Sequence, residues 1–184
     1  LHVRAVSCFF VFRQLLRMNA EQIIKMLNMK PLEQEGGYYV ETYRSLDRIG
    51  SGCLPSRYDG ARNIATAIYY LLKAEDFSAM HRVKSDEIFH FYAGDAVKML
   101  LLDSDGGSEV ITLGSDIAAG QRPQVFVPAY TWQGCRVESG GQFALLGTTV
   151  SPGFEFEDFE KGSRAELTRL CPDQAELITE LTLE

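Results

Sequence analysis

A chain of 184 residues with 46% hydrophobic and 23% charged side chains can bury a sizeable core within one domain, which sets aside disorder, collagen-like repeats and a long coiled coil. The formal net charge of −7 argues against a nucleic-acid module, which needs a basic face to offset phosphates. Cys8, Cys53, Cys135 and Cys171 stand far apart with no CxxC or HxxxH pairing, so zinc-ribbon and thioredoxin chemistry lack support and reduced thiols in a cytoplasmic protein are expected.

Residues 1–17, LHVRAVSCFFVFRQLLR, carry three Arg and no acid. The apolar run from Ala5 to Phe12 is too short to cross a bilayer, and FRQLLR follows where a secretory peptide would show a small-residue cleavage site. This stretch reads as an atypical N-terminal extension, either a targeting segment or a non-native or alternative upstream sequence. Residues 18–184 then form a single domain with no membrane association. Asn19 caps a short helix, with Gln22 completing a capping box and Ile23, Ile24 and Leu27 on one apolar face; Pro31 ends it. From Gly36 to Phe156 the texture changes. YYVETY, IATAIYYLL, EIFHFYA, VKMLLL, EVITL, QVFVPA and FALLGTTV read as strands, divided by turns such as DSDGGS and ESGGQ. So many strands without intervening helices indicate a β-sandwich or barrel. Residues 45–63 form a long loop, a candidate lid. Helix returns at the end, with a capping-box pattern at Ser163–Glu166 and a second short helix after Pro172.

The stretch HRVKSDEIFHFYAGD (81–95) holds two of the three histidines around an acidic pair. Alternation puts Glu87, Phe89 and Phe91 on one face of a strand and Ile88, His90 and Tyr92 on the other. Glu87 and His90 therefore do not converge on one ion. His81 lies across a polar, turning segment, so parity does not set its direction. A buried Glu87 needs a partner or a raised pKa, which suits a general base or a ligand-gripping carboxylate. Read alone, Asp86-Glu87 fits equally a loop edge held by salt bridges.

In context, His81, then Glu87 six residues on, then Gly94, resembles the first conserved motif of cupins. Gly120 and Pro128-Ala129-Tyr130-Thr131-Trp132-Gln133 fall where the second motif belongs. More specifically, EGGYYVETYRS (35–45), TAIYYLL (66–72), FSAMHRVKSDEIFHFYAGD (77–95), VPAYTWQG (127–134) and GTTVSPGFEFEDFE (147–160) resemble the cupin family DUF985, or cupin type 5. The resemblance spans nearly all of 18–159. It implies a mainly β, RmlC-like cupin: a double-stranded β-helix, or jelly-roll, barrel with short N- and C-terminal helices, pairing as a homodimer to which His90 contributes.

The departures from the pattern matter most. The resemblance implies a His-His-Glu-His cage for a metal-binding cupin. Here its positions fall on His81, Val83, Glu87 and Gln133. Valine is no ligand and an amide is a poor one, so no tight metal is expected. A loosely bound divalent ion on His81, Glu87 and Gln133 is the alternative. A histidine commonly precedes the family's EGG block, where this chain has Glu33-Gln34.

The RmlC-like resemblance implies proton transfer beside a carbonyl by a histidine base and a tyrosine acid, and hence an isomerase or epimerase acting on a sugar or nucleotide-sugar. His81 is then the base and Glu87 its partner or the base itself, with Tyr39, Tyr69, Tyr70, Tyr92 and Tyr130 open as the acid. Glu35, Thr66, Tyr130, Trp132 and Gln133 are the expected ligand-binding residues. Trp132 reads equally as a stacking wall or a core residue. Arg44 and Arg62 read as solvated loop residues or as an anion clamp, and Phe154, Phe156 and Phe159 as staples with their neighbouring acids in solvent. A binding protein without turnover and a metal-dependent enzyme are the competing functions.

Overall fold

The computed structural model describes residues 18–183; the N-terminal extension and Cys8 lie outside them. Thirteen strands follow helix α1 (Ala20–Met26): β1 (Lys30–Pro31), β2 (Tyr38–Arg44), β3 (Arg48–Ile49), β4 (Arg62–Asn63), β5 (Thr66–Lys73), β6 (Phe77–Val83), β7 (Asp86–Gly94), β8 (Val97–Leu102), β9 (Ser108–Leu113), β10 (Gln124–Val127), β11 (Trp132–Val137), β12 (Phe143–Ser151) and β13 (Phe159–Lys161). Helices α2 (Arg164–Leu170) and α3 (Ala175–Glu180) close the chain. Two sheets face each other, in the orders β1-β2-β5-β12-β7-β10 and β13-β6-β11-β8-β9, with β3-β4 as a separate ribbon. This is the expected jelly-roll barrel.

Alternation along the strands separates three apolar clusters. Tyr70, Leu72, Phe89, Met99, Leu146 and their neighbours point inward and fill one end of the barrel. On the outer face of the second sheet, Met80, Leu100, Leu102 and Trp132 pack under α2 and α3. Helix α1 lays Ala20 and Ile23 on Leu71 at the outer face of the first sheet. No described helix is long and apolar enough to cross a membrane.

Local signals are borne out unevenly. Asn19 and Gln22 form both halves of the capping box. Ser163 makes no side-chain cap to α2, so the Ser163–Glu166 pattern is not realised. Helix α1 ends at Met26, well before Pro31, and the chain turns at Asn28 in the left-handed region. The most consequential difference is that residues 77–83, absent from the strands read in the sequence, form strand β6. The turning segment expected between His81 and Glu87 is the turn at Lys84-Ser85.

The loop 45–63 is pinned rather than free. Arg62 donates two hydrogen bonds to Asp158, both 2.7 Å long, and both side chains are 1% exposed. Glu157 pairs with the same guanidinium at 2.6 Å, and the Tyr58 ring lies beneath it. Arg62 is thus no solvated arginine and Asp158 no solvated acid. A charge this deep requires such partners, because desolvation alone would be prohibitive.

Candidate functional site

The barrel's other end is open, with a cavity of about 420 Å³. Its wall is made by the same strands that fill the closed end. Thr66 and Ile68 continue the inward row of Tyr70 and Leu72 on β5, and Thr148 and Val150 that of Ala144 and Leu146 on β12. On β7, Glu87 continues the row of Phe89 and Phe91, as alternation predicts. His90 faces outward and approaches Thr149.

His81 reaches the cavity through a bulge. On β11, Gln133 pairs with His81 while Cys135 pairs with Ser78, so three steps on β6 match two on β11. Ser78 and His81 therefore both point inward. The backbone within the bulge is fully used. The Ala79 N–H donates to the Glu35 carbonyl at 2.8 Å, and the Ala79 carbonyl accepts from His81 Nδ1 at 2.7 Å. A carbonyl can only accept, so Nδ1 carries the hydrogen and Nε2 of the neutral ring holds a lone pair. Phe159 stacks on the imidazole at 5.1 Å and fixes its plane.

Two carboxylates face this ring. Glu35 comes from the turn before β2, where Gly36 and Gly37 take left-handed conformations; a Cβ on Gly36 would collide with the Phe77 carbonyl. The turn presses Glu35 inward, where Ser78 Oγ donates to Oε1 at 2.6 Å and Oε2 lies 3.9 Å from His81 Nε2. Glu87 is buried, and Gln133 Nε2 donates to its Oε2 at 2.6 Å. Burial pushes the Glu87 carboxyl above its ordinary range; nearby His81 and hydrogen bonds from Gln133 and Thr148 pull it back only in part, and Glu35 adds to the rise. A buried carboxyl with a raised pKa beside an imidazole lone pair is an arrangement suited to proton transfer.

The expected ligand-binding residues divide. Glu35 and Thr66 line the cavity. Gln133 is fully buried behind it, against His81 and Glu87. Trp132 precedes Gln133 on the same strand and faces the other way, under the C-terminal helices with Arg82 over its ring at 4.4 Å. Tyr130 lies in the turn before β11 and does not line the cavity. Of the tyrosines named as acids, Tyr39 alone lines it. Val83, Thr148, Phe154, Phe156 and Phe159 also belong to the wall. Thr148 is readable in sequence, because it shares the phase of Leu146 and Val150. Phe154, Phe156 and Phe159 thus line the cavity as well as fastening the chain. Arg44 at the mouth is spent on Glu41, Glu155 and Asn63.

The metal cage that a cupin resemblance implies does not fit these residues. Val83 supplies no donor atom from its place on the wall. Gln133 turns its amide N–H groups, not its oxygen, toward Glu87 and His81. Among the described residues, no three His, Cys, Asp or Glu side chains are grouped to hold an ion.

The model of the cupin superfamily (DUF985) matches residues 21–162. A protein from Shewanella oneidensis, SO0799, has a solved structure that superposes with a TM-score of 0.79 at 34% identity, covering 91% of this chain and 99% of that one. A hypothetical protein from Leishmania major gives a TM-score of 0.80 at 29% identity, covering 91% and 100%. The uncharacterized protein YML079W of Saccharomyces cerevisiae is 29% identical over 152 residues, covering 77% of this chain and 76% of its own. With the family's signature blocks disposed around a half-open jelly roll, the chain belongs to the DUF985 family of the cupin superfamily.

Proposed function

We propose that the open end of the barrel binds a small polyhydroxylated ligand, a sugar or nucleotide-sugar, and moves a proton at a carbon beside its carbonyl, as a metal-independent isomerase or epimerase. One observation carries this reading: the Ala79 carbonyl holds the hydrogen on His81 Nδ1, leaving an Nε2 lone pair between Glu35 and the buried Glu87 carboxyl. His81 Nε2 removes the proton as the C–H bond breaks. The electron pair moves onto the carbonyl oxygen, and Glu87 in its protonated form donates a hydrogen bond to it there. Returning a proton to the other face gives the epimer, and Tyr39, on the cavity wall, is the tyrosine proposed to donate it. Thr66, Thr148 and Glu35 offer hydrogen bonds to hydroxyls, and the half-exposed Phe156 offers a stacking face.

The reading includes a homodimer through the outer face of the first sheet. There Ile88, His90 and Tyr92 on β7 adjoin Gln124 and Phe126 on β10 and Thr149 on β12. These six positions include no Asp, Glu, Lys or Arg, so this face itself adds little repulsion between two chains of net charge −7. A cytoplasmic setting suits the described cysteines, all of them free thiols.

A panel of free sugars, sugar phosphates and nucleotide-sugars, screened for a rise in Tm and then followed by proton NMR in D2O, tests the proposal. A ligand that raises Tm and loses the proton beside its carbonyl is the expected result. If no member binds while a ligand of another chemical class does, the reading fails.

A further inference from the structure

The geometry points to Gln133 as a built-in replacement for a metal ion, an amide whose two N–H bonds tie His81 to Glu87 and keep cations out. Its Nε2 lies 2.6 Å from Glu87 Oε2 and 3.4 Å from His81 Nε2. Because His81 Nδ1 donates to Ala79, the atom facing the amide is the imidazole lone pair. A primary amide has two N–H bonds, and here there are two acceptors, one carboxylate oxygen and one imidazole nitrogen. An ion bridging the same two side chains would engage the same two lone pairs. The amide does so with hydrogen atoms.

The other end of the amide supports this assignment. Gln133 Oε1 is the one buried side-chain oxygen or nitrogen among the described residues without a hydrogen-bond partner. Leaving such an atom unpaired in the interior is costly, so something must impose the orientation. Turning the amide over would not remove the problem. It would set Oε1 against the His81 Nε2 lone pair and take the donated hydrogen away from Glu87 Oε2, exchanging one missing bond for a repulsion and a second lost bond. The orientation is therefore imposed by His81 and Glu87. On the cavity side, Val83 presents only methyl groups two residues from His81.

The inference concerns the array alone and holds whether or not the bound ligand is turned over. Equilibrium dialysis of the wild-type protein against Mn²⁺, Ni²⁺ and Zn²⁺, followed by elemental analysis, is compared with V83H/Q133H. The wild type is expected to retain no metal above buffer level, and the double variant close to one ion per chain. Near-stoichiometric metal on the wild type overturns the assignment, as does a folded double variant that binds none. Should the variant not fold, NMR of the wild type decides. Both Gln133 side-chain amide protons are expected to be protected from solvent exchange and to show cross-peaks to the His81 ring. Rapid exchange, or no contact with that ring, overturns the proposal.

Discussion

The two ends of the barrel are built from the same strands and held by different physics. At the closed end, β5, β7 and β12 contribute Tyr70, Leu72, Phe89 and Leu146, which interlock as apolar core. A few residues along the same strands, the inward positions become Thr66, Glu87 and Thr148, and the core gives way to a cavity. What packing provides at one end, polar pairing provides at the other: the Arg62–Asp158 pair, the Ser78–Glu35 hydrogen bond and the Gln133 bridge. On β5, β7 and β12 the inward row runs on across the boundary with only its side chains changed, and the bulge in β6 adds His81 to it.

That contrast sets out what each end should do when disturbed. The largest loss is expected from Asp158→Ala, which strands the Arg62 guanidinium in the interior with Glu157 as its remaining carboxylate. Unfolding in urea should show a loss of about 3–5 kcal/mol, and loop 45–63 should become open to proteases. At the closed end, Leu146→Ala should cost about 2–5 kcal/mol by leaving a cavity among close-packed neighbours. It should leave ligand affinity nearly unchanged.

Glu87→Gln should move stability the opposite way. The folded carboxyl holds its proton to higher pH than the unfolded one, which titrates near the ordinary value of 4.5. Stability therefore falls as pH rises from that value to the raised folded one, and the full penalty stands above it. Glutamine cannot ionise, and its oxygen still accepts from Gln133. The variant should equal wild type in acid and gain on it as pH rises from about 4.5 toward the raised folded value. A stability difference that does not vary with pH would show that burial of the carboxylate is not the cause. The smallest stability effect is expected from Phe156→Ala at the mouth, where the side chain is 51% exposed. Unfolding should shift by no more than about 0.5 kcal/mol, and ligand binding should weaken about threefold to tenfold through loss of a stacking face.

The sequence exposes the closed end better than the open one, for a physical reason. Strands β5, β7, β8 and β12 are rich in branched and aromatic residues and stand out by composition. Strands β6 and β11, FSAMHRV and WQGCRV, carry the site and do not, because inward positions that serve a ligand are polar and erase the apolar alternation. The bulge in β6 then breaks the period of two, which hides the direction of His81. Glu87 remains readable because β7 is regular up to it. Trp132 and Gln133 teach a simpler point: neighbours on one strand face opposite ways, so a pair read together as one wall divides between the site side and the helices. The Arg62–Asp158 pair joins residues 96 positions apart, and no local pattern announces it.

The account's central claim is that the open end performs proton transfer through His81. The most direct test compares wild type with His81→Ala on a nucleotide-sugar that binds, following in one NMR experiment both the bound fraction and the uptake of deuterium beside the carbonyl. The account predicts that the variant still binds, within about tenfold, and that its exchange falls by about 10²–10⁴-fold, the scale of a lost general base. Exchange that survives the substitution, or a wild-type protein that binds its ligand without exchanging it, would contradict the claim and leave the barrel as a binding site.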